Sequence, residues 1–142
     1  MSNMFFSIDR APIAQQRPRF GKFRGKTTVY DPNGSQKKSL KWDVAKQMRD
    51  RGYLKADEGA VYVEVRSYHA TPRSWSQKRS KQALGKYVTT KPDCDNICKL
   101  YLDILNGIAY ADDKQVCSLF FEKKYSENPR IEIDVKKIEN GK

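Results

Sequence analysis

The sequence predicts an α+β fold in which a mixed β-sheet is covered by two main helices, with residues 1–142 forming one domain. Three observations predict it. Apolar and polar residues alternate over 61–66 and again over 131–136, the period of half-buried strands. Leu40, Val44 and Met48, and later Ile97, Leu100, Tyr101, Ile104 and Leu105, instead recur at helical spacing. Strand and helix patterns are interspersed without a linker, a repeat or a low-complexity tract, and 142 residues suit a single core.

Taken in order, residues 4–9 read as a short strand, and residues 11–26 as a basic, proline-containing segment. Asp31-Pro32-Asn33-Gly34 is a turn signal, after which Ser35 caps a helix that runs to Arg51 and stops at Gly52. Val61, Val63 and Val65 place one face of a strand over 60–69 in the core, with Tyr62, Glu64 and Arg66 on the other. Residues 71–90 form a polar, basic arm, helical in part over 76–84. A helix over 94–106 ends at Asn106-Gly107, its apolar face opposite a stripe of Asp95, Lys99, Asp103 and Asn106. A strand over 116–125 and one from 131 are joined by Asn128-Pro129 and read as a closing antiparallel hairpin.

Charge indicates the partner. A net +11 and a pI near 9.6 point to a polyanion. No long apolar run or amphipathic basic helix stands out, so a membrane-surface partner fits less well. No secretion signal is visible at the N-terminus, and three cysteines without framework spacing suit a reducing cytoplasm. The cations are clustered: residues 10–26 and 71–91 each carry six Lys or Arg and no acid. Phe20, Phe23, Tyr30, Trp75 and Tyr87 lie in or beside these runs, a mixture suited to phosphate contact and base stacking. Arg17, Arg19, Lys78, Arg79, Lys86 and Asn96 are the candidate DNA contacts.

Residues 93–113 reverse the sign, with Asp93, Asp95, Asp103, Asp112 and Asp113 around one cation, Lys99. Carboxylates weaken a phosphate-binding surface unless a cation sits between. Mg²⁺ takes oxygen ligands in octahedral geometry, usually only about two or three carboxylates, and completes its shell with water and phosphate oxygens. Such an ion activates water and stabilises the departing oxyanion of a phosphodiester. Taken singly, Asp95 also suits a helix N-cap and Asp93 the helix dipole. Lys99 suits an ion pair with Asp95 or Asp103, each four residues away, and equally a cation held at the scissile phosphate. Spacing does not choose between these roles.

The stretch from Lys91-Pro92-Asp93-Cys94-Asp95-Asn96 through Lys99, Asp103 and Asn106, followed by Asp112-Asp113 and Gln115-Val116, closely resembles the RusA family of Holliday junction resolvases, found in bacterial and phage genomes. Arg17-Pro18-Arg19-Phe20 and Val29-Tyr30-Asp31-Pro32 resemble the phage-type members. The resemblance implies metal-binding, catalytic aspartates at Asp93, Asp95 and Asp113, a catalytic Lys99 and a secondary acidic Asp112. It also implies Mg²⁺, with Mn²⁺ as a substitute, a homodimer, and paired symmetric nicks in branched DNA, with no small-molecule cofactor. Cys94 departs from the more usual aliphatic residue between the aspartates.

A helix from Asp95 to Asn106 is roughly 17 Å long, so Asp113 reaches Asp93 only if the chain doubles back or a dimer partner supplies it. A structural zinc would need a fourth ligand beside Cys94, Cys98 and Cys117, and the one histidine, His69, lies on a strand without pairing spacing and reads as a strand-end surface residue. The competing function is a non-catalytic DNA-binding protein whose aspartates merely cap and solvate.

Overall fold

The computed structural model describes residues 3–139; residues 1–2 and 140–142, which the one-domain expectation includes, lie outside the described residues. Its strands are β1 (Asn3–Ile8), β2 (Arg19–Phe23), β3 (Lys26–Tyr30), β4 (Val61–His69), β5 (Val116–Tyr125) and β6 (Arg130–Lys137). The helices are α1 (Gly34–Arg51), α2 (Gln77–Ala83) and α3 (Cys94–Leu105). β1, β6, β4 and β5 form the main sheet in that order, antiparallel except for the parallel β4–β5 pair, so the sheet is mixed as expected.

Period-2 alternation builds its buried face. Met4, Phe6 and Ile8 of β1, Val61, Val63 and Val65 of β4, and Ile131, Ile133 and Val135 of β6 are buried in one cluster. Leu40, Val44 and Met48 of α1 close over it with Ile97, Leu100, Tyr101, Ile104 and Leu105 of α3. The two long helices are therefore the cover that the sequence predicts, and α2 is the short helix of the basic arm. Among the described residues no helix is long and apolar enough to cross a membrane.

Three expectations need correction. β5 and β6 are not a hairpin, because β4 lies between them and pairs with both. The turn after β5 crosses the end of β4, where Ser126 N donates to His69 O at 2.9 Å. Alternation shows which face a strand buries but not which strand lies beside it. The clean alternation of β4 and β6 suits the interior, whereas β5, with Leu119 47% and Phe120 38% exposed, is an edge.

The second correction is that residues 19–30 are not a plain basic segment but a two-stranded hairpin, β2–β3, turning at Arg24-Gly25 with φ of 52° and 77°. Two positive φ values suit a two-residue hairpin turn. No residue of either strand is buried, so the sequence carries no period-2 apolar signal there. Thirdly, Asn33 rather than Ser35 stands at the N-cap of α1. The Asn33 side chain is buried and ties down the preceding segment, accepting from Gln16 N at 2.8 Å and donating to Gln36 Oε1 at 2.8 Å.

Candidate active site

Asp93 stands at the N-cap of α3 with extended backbone (φ −71°, ψ 146°), and Asp95 lies in the first turn, so Asp95 is not the cap. Nor does Asp93 cap with its side chain; only its backbone carbonyl engages the helix, accepting from Ile97 N at 3.2 Å. Both aspartates are exposed, and neither carboxylate makes a hydrogen bond or ion pair among the described residues. Side-chain capping, one structural role open to them in the sequence, is thus not used, while both stand where a carboxylate favours the helix dipole. They border one concavity with Cys94, Thr89, Thr90, Lys91 and Lys123.

Lys99 lies one turn along α3. It pairs with neither Asp95 nor Asp103 among the described residues. Asp103 is instead bound by Lys37 of α1 at 2.9 Å, and the same ammonium holds Asp31 at 2.7 Å. That contact raises the Lys37 pKa against the opposing effect of burial, and it holds the Asp31 carboxyl below its usual range. A tertiary ion pair takes the place of the local i,i+4 pair that spacing allows, and Lys99 is left without an ion pair among the described residues.

The N-terminal basic segment is laid across this helix. Gln15 N donates to Asn96 O at 2.9 Å, and Ile13 N to the Tyr101 hydroxyl at 3.2 Å. A cavity of about 380 Å³ results, bordered by Arg17, Lys37, Asn96, Lys99, Asp103 and Asp113 among others. Arg17 and Lys99, 82 positions apart in sequence, meet there by tertiary packing alone.

Asp113 reaches this cavity because the chain doubles back after α3. Gly107, with φ 80°, reverses direction; its N–H donates to Tyr110 O at 2.8 Å, and the Tyr110 hydroxyl donates to Leu102 O at 2.7 Å. A single 3₁₀ turn, Asp113–Gln115, follows. Asp112 caps it, accepting from Lys114 N at 2.9 Å, while Gln115 Oε1 accepts from Asp112 N at 2.9 Å. Gln115 also donates to the carbonyls of Ala56 and Gly59, both at 3.1 Å, which pins the turn to the loop that leads into β4. Desolvation, then the Asp112 carboxyl beside it and the charge of Asp103, push the Asp113 carboxyl up; the Lys114 N–H holds Asp112 down.

The chain reversal that the sequence allows therefore exists; Asp113 borders one cavity with Lys99 and Asp103, and Asp93 and Asp95 border another concavity. Among the described residues no three His, Cys, Asp or Glu side chains are grouped to hold a metal ion. The pair Asp93 and Asp95 offers two unengaged oxygen donors in the open, a set that fits a hard cation such as Mg²⁺, which commonly takes one or two carboxylates and keeps several waters. The thiol of Cys98 is buried and pushed up to about 11, unsuited to binding zinc as thiolate.

The family model of endodeoxyribonuclease RusA matches residues 9–136, which include every element of this site. The chain belongs to the RusA family. It is accordingly an endodeoxyribonuclease. An uncharacterised protein of Bacillus subtilis (strain 168), YqaN, is 37% identical over 138 residues, 94% of this chain and 95% of that protein. The crossover junction endodeoxyribonuclease rusA of Lactococcus phage r1t is 28% identical over 134 residues, again 94% of this chain and 95% of that protein.

In this RusA-family chain the predicted DNA contacts fall into two sets. Arg17 and Asn96 border the Lys99 cavity, and Arg19 opens the β2–β3 hairpin beside them. Lys78 and Arg79 lie on α2, and Lys86 follows it on the arm. The Arg79 guanidinium sits 4.0 Å from the Trp75 ring centroid, and Trp75 packs on Tyr125, so the arm is anchored to β5. Sequence reasoning missed Lys37 and Gln115 as parts of the site's frame. The Asp-Asp-x-Gln spacing does carry a capping-box signal for Gln115; Lys37, one of several lysines on α1, carries none.

Proposed function

We propose that this RusA-family nuclease resolves four-way DNA junctions and related branched DNA, acting as a Mg²⁺-dependent homodimer that makes paired, symmetric nicks. The observation that carries the reading is the pair of unengaged carboxylates at the head of α3, followed one turn later by an unpaired lysine, in a chain of net charge +11. Its setting is DNA recombination and repair or phage DNA processing, in the cytoplasm of a bacterial or phage-infected cell.

Asp93 and Asp95 would hold the metal, which when bound supplies a polarised phosphate and a more acidic water. Lys99 places its ammonium where negative charge grows on the phosphate in the transition state. Asp113, already beside Lys99, is assigned to the same site as the third acidic group, with Asp112 fixing its turn. Arg17, Arg19 and Asn96 hold the strand across the cavity; Lys78, Arg79 and Lys86 hold a flanking arm of the junction. Phe20 and Phe23, 74% and 67% exposed on a hairpin rich in Lys and Arg, suit stacking on bases left unpaired at the branch point. Two copies related by a two-fold axis present two equivalent sites to two equivalent strands.

The test is cleavage of a synthetic four-way junction with and without Mg²⁺. Wild type should nick symmetrically only with the ion. Asp93→Asn should bind the junction at least as tightly and not cut it, since losing a carboxylate reduces phosphate repulsion. Equal cleavage by the two proteins would overturn the assignment.

A further inference from the structure

The concavity at Asp93 and Asp95 has a residue on its wall that comes from another element. Lys123 of β5 borders it. In the parallel ladder Lys123 stands opposite Ser67 of β4, whose side chain is buried, so it projects to the helix-covered side of the sheet. Its ammonium donates to two backbone carbonyls, Thr90 O at 2.8 Å and Pro92 O at 2.8 Å. The backbone joins in, with Val88 N donating to Lys123 O at 3.1 Å. Asp93 follows Pro92 directly and is gripped on its other side by α3 through its own carbonyl. The residue therefore enters the site between two fixed points, the Lys123 ammonium before it and the first helical turn after it.

This clamp differs from an ordinary surface lysine contact. Both acceptors are main-chain atoms within three residues of Asp93, so the contact fixes the backbone rather than a mobile side chain. Two of the three ammonium donors are committed to carbonyls, and one remains for water or a phosphate oxygen. The cation also borders the same concavity as two carboxylates that have no partner among the described residues.

We propose that Lys123 is a positioning residue of the nuclease site. It fixes the 90–92 approach to Asp93, and thereby the spacing of Asp93 against Asp95. The proposal rests on the reading of those two aspartates as metal ligands. Residues that orient metal ligands without touching the ion typically change metal affinity or activity by roughly ten- to a hundred-fold when removed.

The test compares Lys123→Met, Lys123→Arg and Asp93→Asn with wild type. Mn²⁺ binding to the DNA-free protein is measured by calorimetry, amide exchange is followed over residues 89–97, and junction cleavage is titrated with Mg²⁺. Lys123→Met should bind Mn²⁺ roughly tenfold more weakly and exchange faster at 90–94, and it should need correspondingly more Mg²⁺ for half-maximal cleavage. Its metal-free thermal midpoint should stay within a few degrees of wild type. Lys123→Arg, which keeps the charge and the donors, should recover most of the loss. If Lys123→Met does not fold, Lys123→Gln compared with Lys123→Arg decides in the same way.

Wild-type Mn²⁺ binding and exchange in the methionine variant, with binding lost in Asp93→Asn, would overturn the role of Lys123 alone. Unchanged binding in Asp93→Asn would overturn the metal reading and the proposal with it.

Discussion

At the scale of single residues, Lys37 and His69 show how the fold sets charge. Lys37 is 14% exposed at its side chain and bridges Asp31 and Asp103. Lys37→Met should destabilise by about 1–2 kcal/mol, the lower part of the range for charged hydrogen bonds because both carboxylates remain partly hydrated. A lower urea midpoint at unchanged m-value is the check. His69 shares a 2.6 Å hydrogen bond with Ser67, and burial, then the charge of Lys123, hold its pKa below the ordinary 6.5. As pH falls the unfolded chain takes this proton first. The contribution of His69 is therefore whole above about 6.5 and declines as pH drops toward the lower folded value. Urea midpoints from pH 7.5 to 5 should fall with this dependence, and His69→Gln should flatten that part of the profile.

At the scale of elements, β2–β3 and α3 are opposites. Every residue of the hairpin strands is at least partly exposed and none joins the core, so Phe20→Ala and Phe23→Ala should change stability by less than about 0.5 kcal/mol. Each should still weaken junction binding, by about 1–3 kcal/mol where a base stacks on the ring. Lys22→Gln should instead lower the salt dependence of binding by about one unit of log–log slope, the signature of one lost phosphate contact. In α3 the fully buried Leu100 lies behind the Lys99 stripe. Leu100→Ala should cost about 2–5 kcal/mol of stability, read by chemical unfolding.

At the scale of the whole molecule, the issue is how one site draws on distant parts of the chain. The loop after α3 returns Asp113 to its own helix beside Lys99. If the proposed dimer completes each site from one chain, a mixed dimer of one Asp93→Asn and one Asp113→Asn protomer has two damaged sites and should not nick junctions. Site sharing across the dimer would leave one site intact, and a single nick in each junction would be seen on a denaturing gel.

Local and periodic features follow from the order of residues alone. Valines at alternate positions made β4 a half-buried strand, and the i, i+4 spacing of Leu40, Val44 and Met48 made α1. The Asp93-to-Val116 motif marked the family before any coordinates. These are properties of neighbours a few residues apart, or of a residue string met many times over. Tertiary structure alone decided the rest. It set β4 between β5 and β6, gave Asp103 to Lys37 instead of Lys99, brought Arg17 onto α3, and put Lys123 against the backbone before Asp93. Each is a choice among partners far apart in the chain. Periodicity identifies the face a residue presents, while hydrogen-bond competition in the packed fold decides what meets that face.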